Sequence, residues 1–254
     1  MLSTMCRFSV ATMLSVCLAT RASAQTLSPI QATQRPLGLP LIGPVYMAAS
    51  DSQSKAYAVN QNTYTNYITT NLKEGVAFTG IGLNQLDPQR LYFLFDYAPR
   101  VYFIYGYAGY IDGMGATIAT LSQPTSSKLT GNTFTIFPDA HWNGSKTRSA
   151  TYPVLPGDFV QLPIVKAGQQ LAFFAYSNES SAGNPSDVFY NGKSNNADTF
   201  QHMIAFFPDN SQYIIIGFED MYNGGDQDCN DIMCVVDIGP QNALVLRNPN
   251  SLPK

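Results

Sequence analysis

From Gly75 onward the hydrophobic positions gather in short runs divided by turn residues. Val76–Leu83 is the first. Leu91–Tyr97 and Val101–Tyr107 are aromatic and β-branched, with Pro99 and Arg100 between them. Thr117–Leu121, Thr133–Phe137, Phe159–Val165, Leu171–Tyr176, Val188–Tyr190, His202–Phe207, Tyr213–Phe218 and Ile232–Ile238 follow, and Gly, Pro, Asn, Asp and Ser punctuate nearly every gap. Many short strands at this spacing, with little helical periodicity, predict an all-β sandwich or barrel. The 15 Tyr and 15 Phe suit pleated, half-buried surfaces. A charged fraction of 12% suits strands better than amphipathic surface helices.

Upstream the pattern changes. Gln25–Pro44 is rich in Pro, Gly and Ser and has no periodicity, so it reads as an extended arm. Ser52–Lys73 is polar, with tyrosines and asparagines, and fits either a short helix or more of the arm. The first two dozen residues have the form of a secretory signal. Arg7 supplies the positive start, Phe8–Ala19 is uncharged and apolar, and Ala22-Ser23-Ala24 is a small-x-small cleavage site. The apolar run is too short to span a bilayer, and no later segment is apolar for long enough. Val16 before Cys17 argues against a lipid anchor. The expected organisation is a signal over 1–24, an arm or linker over 25–74, a β-sandwich over 75–240 and a tail over 241–254. The expected location is extracytoplasmic: secreted, periplasmic or at the cell surface.

Loss of Arg7 and Arg21 with the signal lowers Lys plus Arg from 14 to 12 against 17 acids, a balance of −5. That argues against nucleic acid and anionic membrane surfaces as partners, since both call for clustered basic residues. Only Cys229 and Cys234 follow the signal, so there is no disulfide framework and the fold must rest on its hydrophobic core. An extended chain would hold these two roughly 16 Å apart, beyond disulfide reach. They read as small core residues, with a strained local bridge as the alternative.

The segment Ile214–Asp237 carries the chemistry. Glu219, Asp220, Asp226, Asp228 and Asp231 crowd a glycine-containing turn between two strands, and no Lys or Arg occurs from Ser194 to Leu246. Carboxylates packed this closely raise each other's pKa unless a cation joins them. The available donors are carboxylates, the Asn230 amide and backbone carbonyls near Gly224-Gly225. Hard oxygen donors in a flexible loop favour Ca2+ over zinc or copper. The loop has no His, and Cys229 is its one sulfur, so zinc would lack its usual ligands. Asp226-x-Asp228-x-Asn230 copies the odd-numbered ligands of a helix-loop-helix calcium loop, and Asp237 falls at its twelfth position. But Asp231 stands where that loop needs Gly, and the flanks are strands, so only the ligand logic carries over. On an extended strand Asp226, Asp228 and Asn230 face one way and Asp231 the other, so a wrapped loop is needed to gather them. The bland alternative is an acidic surface turn with local backbone hydrogen bonds.

The string F-E-D-x-x-x-G-G-D-x-D-x-N-D, Phe218–Asp231, resembles the closing signature of the bacterial secreted domain-of-unknown-function family four-one-one-four. Val101–Ile104 through Ala108-Gly109-Tyr110 and Gly115, then Leu171–Ser177, Val188–Tyr190 and His202, resemble earlier landmarks, so the likeness covers most of Gly75–Gly239. Cys229 and Cys234 stand where the family usually has aromatics, and Asp112-Gly113 replaces an Arg-Asn-like pair. The resemblance implies a jelly-roll-like antiparallel β-sandwich, calcium at the acidic loop, and a place in secreted or surface-attached proteins, often large adhesins. It implies no established activity.

Other residues offer less. His141 and His202 lie in no nucleophile motif, and His202 reads as a strand-edge hydrogen-bonding residue. Glu219 and Asp220 are adjacent, so on a strand they point to opposite faces and do not flank one glycosidic bond. Trp142 suits either stacking on a sugar or plugging the end of the sandwich. Asn143-Gly144-Ser145 and Asn178-Glu179-Ser180 are glycosylation sequons by pattern. The chain therefore reads first as a calcium-binding structural, adhesion or matrix protein, with Glu219, Asp220, Asp226, Asp228, Asn230 and Asp231 as metal ligands. Second comes a calcium-dependent carbohydrate-binding module, whose partner would be an extracellular glycan rather than a surface protein. Third comes a metal-assisted hydrolase, for which no base is evident, so the reading leans away from an enzyme.

Overall fold

In the computed structural model, residues 24–120, 132–177 and 187–248 are described. The expected signal, much of the loop after Thr120, the sequon at Asn178 and the end of the tail lie outside them.

The strands are β1 (Asn84–Gln85), β2 (Tyr92–Phe93), β3 (Arg100–Tyr105), β4 (Gly113–Thr120), β5 (Thr133–Phe137), β6 (Phe159–Gln161), β7 (Gln169–Ser177), β8 (Asp187–Tyr190), β9 (Met203–Phe207), β10 (Tyr213–Phe218) and β11 (Ile232–Asp237). One six-stranded sheet has the order β1-β9-β10-β11-β3-β6. The other runs β2-β7-β4-β5, with β8 also paired to β7. The named strands pair antiparallel throughout. The two sheets stack as an all-β sandwich.

Nearly all the predicted runs contain strands, but one fails. Val76–Leu83 forms no strand, and the strand is only Asn84–Gln85. Gly80 and Gly82 have φ of +67° and +79°, which breaks an extended run, and Val76 and Ile81 are exposed. The run Leu91–Tyr97 shrinks to two paired residues.

The core between the sheets is built by Val101, Phe103, Ile214, Ile216, Phe218, Cys234 and Val236 on one side. Met114, Ala116, Ile118, Phe134, Ile136, Leu171, Phe173 and Ala175 face them. The alternate residues of β3, β10 and β11 form a second core on the outer face: Tyr102, Ile104, Tyr213, Ile215, Met233 and Val235. What covers them is helix α1 (Ser52–Asn71), through Tyr57, Tyr64 and Ile68, with Leu72 at its end. This resolves the ambiguity over Ser52–Lys73. The helix starts at Asp51, whose side chain accepts from the Ser54 N–H while the Ser54 hydroxyl contacts the Asp51 N–H. Asp51 also holds Arg100 of β3 in a buried two-point ion pair at 2.8 and 2.6 Å. Burial alone would raise the Asp51 carboxyl, but Arg100 and the Ser54 N–H hold it well below the usual carboxylate range. Upstream, Leu27, Leu41 and Tyr46 make single β-bridges, the last two to β5 and β6. After β11 a short helix α2 (Pro240–Leu246) returns Ala243 and Leu246 to the main core.

Cys229 and Cys234 are free and buried. Cys234 lies in the central core, its Sγ 3.3 Å from the Met114 Sδ. Trp142 packs edge-on against Phe103 and Tyr105, and its indole N–H donates to the Ser145 carbonyl at 2.7 Å. Its ring therefore helps close one end of the sandwich.

Candidate metal centre

Strands β10 and β11 pair from Tyr213↔Asp237 to Phe218↔Ile232. The acidic loop is what closes this hairpin, so both its ends are fixed by the core. Between them the backbone does not extend. Asn223, Gln227 and Cys229 adopt φ of +62°, +67° and +57°, and Gly224 and Gly225 are also positive. Left-handed residues at 227 and 229 curl the D-x-D-x-N string. The Asp228 N–H then donates to the Asp226 carboxylate at 3.4 Å and the Asn230 N–H to Asp228 at 3.1 Å. Such turns are what Asp and Asn side chains favour, and the wrapping brings Asp231 to the same side as Asp228.

Two carboxylate groupings result. Glu219, Asp228 and Asp231 each offer an oxygen, and these lie within 4.8 Å of one another. Glu74, Asp226 and Asp228 do the same, so Asp228 belongs to both. Glu219 and Asp228 are buried, Asp231 is half-buried, and Glu74 and Asp226 are exposed. Among the described residues no Lys or Arg forms an ion pair with any of them.

Glu219 is 1% exposed; one of its oxygens accepts from the Met221 N–H at 3.3 Å, and the other, Oε2, has no partner. Burial first, then the neighbouring Asp226, Asp220 and Asp228, push its carboxyl up to about 8 despite that N–H. Asp231 accepts from the Asp220 N–H at 2.8 Å and is pushed up to about 9 by burial, Asp220 and Glu219. Asp228 takes the Gly75 N–H at 2.8 Å, and burial still raises it. Cation-free, Glu219, Asp228 and Asp231 are held toward their protonated forms. A divalent cation would relieve both burial and repulsion.

Gly225 makes room for this. A Cβ there would overlap the Glu219 Oε1 and crowd Met221, and its φ is +42°. Behind Glu219, the buried His202 braces the main chain. Its Nδ1 meets the Glu219 carbonyl at 2.9 Å, its Nε2 meets Asp198 at 2.8 Å, and its ring stacks on Phe189.

Of the six residues predicted as ligands, the structure brings Glu219, Asp228 and Asp231 together. Asp226 is joined to Asp228 from the other side. Asn230 is buried, with neither amide atom in hydrogen-bond geometry. Asp220 points elsewhere: its carboxyl meets Asp112, from the segment before β4, and burial together with Asp112 pushes it up to about 9. Sequence reasoning missed Glu74 and the meeting of Asp112 with Asp220. Both lie far from the loop in sequence, and neither carries a local motif. The signal for Glu74 is tertiary: the turn after α1 docks on the loop, with the Phe78 N–H donating to the Gln227 carbonyl at 2.7 Å.

A sandwich whose last hairpin carries an oxygen-rich acidic loop defines the class. Residues 156–239, spanning β6 to β11 and the acidic loop, match the model of a family described as a domain of unknown function (DUF4114). The match supports the family resemblance read from the sequence. Searches of curated proteins and of solved structures returned no match. Among the described residues no helix is long and apolar enough to cross a membrane.

Proposed function

We propose that this protein is an exported calcium-binding β-sandwich whose ion fixes the final hairpin, serving a structural, adhesion or matrix role outside the cytoplasm. One observation carries the calcium reading. Glu219, Asp228 and Asp231 converge at the end of β10 and β11 with a buried Glu219 oxygen that has no partner. Buried polar atoms without partners cost about 1 to 3 kcal/mol, more when charged, so native folds rarely keep them. An oxygen-only donor set in a loop suits Ca2+. Export rests on the leader-like sequence, and the adhesion or matrix role on the family resemblance. The test is thermal unfolding of the chain in chelator, in excess calcium and in magnesium. Calcium should raise the melting temperature selectively, and Glu219→Gln with Asp231→Asn should abolish the rise. An equal response with and without those carboxylates would overturn the reading.

A second reading, a calcium-dependent glycan module, is favoured by one observation. Tyr107 is 52% exposed and stacks on Tyr105, whose hydroxyl is raised by burial and by nearby Glu74. An exposed aromatic face near the proposed ion would offer a stacking platform to a sugar ring. A glycan array with and without calcium, repeated with Tyr107→Ala, decides it; absence of any calcium-dependent signal would eliminate this role.

A further inference from the structure

The second carboxylate grouping joins two parts of the chain that the family match does not join. Glu74 follows α1 and lies outside residues 156–239, whereas Asp226 and Asp228 lie inside them. Their ligand oxygens fall within 4.8 Å of one another. An acidic group of this kind is common on protein surfaces and proves nothing alone. The independent observation is Asn230. Its side chain is 1% exposed, and neither its Oδ1 nor its Nδ2 reaches hydrogen-bond geometry with any group. Its main-chain N–H donates to the Asp228 carboxylate at 3.1 Å, which holds the amide beside the shared member of the grouping. A buried amide left unsatisfied beside the shared carboxylate fits the same grouping: its oxygen completes an oxygen cage around a cation.

We infer a second divalent-cation site formed by Glu74, Asp226, Asp228 and Asn230, sharing Asp228 with the first and clamping the turn after α1 onto the acidic loop. It rests on the calcium reading above and extends it. The two sites differ in character. The inner one has two buried carboxylates, whereas the outer one has Glu74 and Asp226 open to solvent. The outer ion would therefore keep water in part of its shell, bind more weakly and exchange faster. Two backbone contacts already align the clamp: the Gly75 N–H to Asp228 and the Phe78 N–H to the Gln227 carbonyl. Since α1 covers the outer face of the sheet, outer-site occupancy couples helix docking to calcium concentration.

The test is native mass spectrometry of the full chain, stripped with chelator and titrated with calcium chloride. It is read beside amide hydrogen exchange over residues 73–78. The parent should take up two calcium ions in separable steps, with protection of residues 73–78 rising in the second. Glu74→Gln and, independently, Asp226→Asn should each bind a single ion at unchanged tighter affinity and lose that second-step protection. Both side chains are exposed, so neither change threatens the core. Asp228→Asn should lose both ions. A parent that binds one ion, or a Glu74→Gln variant that still binds two, overturns the second site while leaving the first standing. A parent that binds none overturns both.

Discussion

Gln227 and Cys229 occupy the left-handed region, where a residue with a Cβ is held at a cost of roughly 1 to 3 kcal/mol. The loop accepts that cost to turn Asp228 and Asn230 inward. Gly225 has a sharper role, because any side chain there collides with the Glu219 carboxylate. Gly225→Ala should therefore remove the calcium-induced rise in melting temperature and destabilise the calcium-loaded form by about 1 to 3 kcal/mol, readable by denaturant titration. Away from the loop, Asp139 is 2% exposed, and burial pushes its carboxyl from 3.8 up to about 7 despite the His141 N–H. A folded pKa above the unfolded one means stability that is complete at low pH and declines as pH rises, here from about 4 to about 7. Asp139→Asn should flatten that part of the stability–pH curve and leave a more stable protein at neutral pH. Urea unfolding of both forms at pH values across this window checks it.

Helix α1 shows how a polar stretch becomes part of the core. Its buried residues are Ser54, Tyr57, Tyr64 and Ile68, a sparse stripe on a segment full of Asn, Thr and Gln. Tyr57 stacks on Tyr102 of β3 with centroids 3.9 Å apart. The hydrophobic runs of β10 and β11, Ile214-Ile215-Ile216 and Val235-Val236, need a cover on both faces, and α1 supplies the second. The Arg100–Asp51 pair fastens the helix start to β3. Removing one member of such a pair leaves a buried charge alone, so Arg100→Ala should cost about 3 to 5 kcal/mol in chemical denaturation. The Tyr57 hydroxyl is buried without a partner, so Tyr57→Phe should be neutral or stabilising by about 1 kcal/mol, a control showing that the ring and not its oxygen docks the helix.

Among the described residues, the acidic loop gathers carboxyl groups that no Lys or Arg pairs with at the end of β10 and β11. Without a cation, Glu219 and Asp231 stay protonated up to about 8 and about 9. Their folded values lie above the ordinary 4.5 and 3.8, so the cation-free protein should lose stability steadily as pH rises from about 4 to about 9. A calcium ion bound there would compete with those protons, so its stabilising effect should grow with pH across the same window. Melting temperatures in chelator and in calcium over this range should diverge toward alkaline pH. Parallel curves would mean that these carboxyls do not take the ion. On the proposed calcium reading, mass action makes the stability of the molecule a function of calcium concentration.

The β class was legible in the chain, because strands bounded by turn residues announce themselves locally: Thr133–Phe137 and Tyr213–Phe218 were found to the residue. The acidic loop was legible too, since five carboxylates without a basic neighbour are a local anomaly. Helix α1 was not. Its apolar stripe is made of tyrosines at wide intervals, and only the apolar outer face of β3, β10 and β11 gives those rings somewhere to go. Nor was the division of labour among the carboxylates. Which oxygens converge depends on left-handed backbone at Gln227 and Cys229, on Asp112 claiming Asp220, and on Glu74 arriving from a segment about 150 residues away in sequence. Composition and pattern are properties of neighbours along the chain, whereas a ligand cage is a property of neighbours in space, and folding alone brings those together.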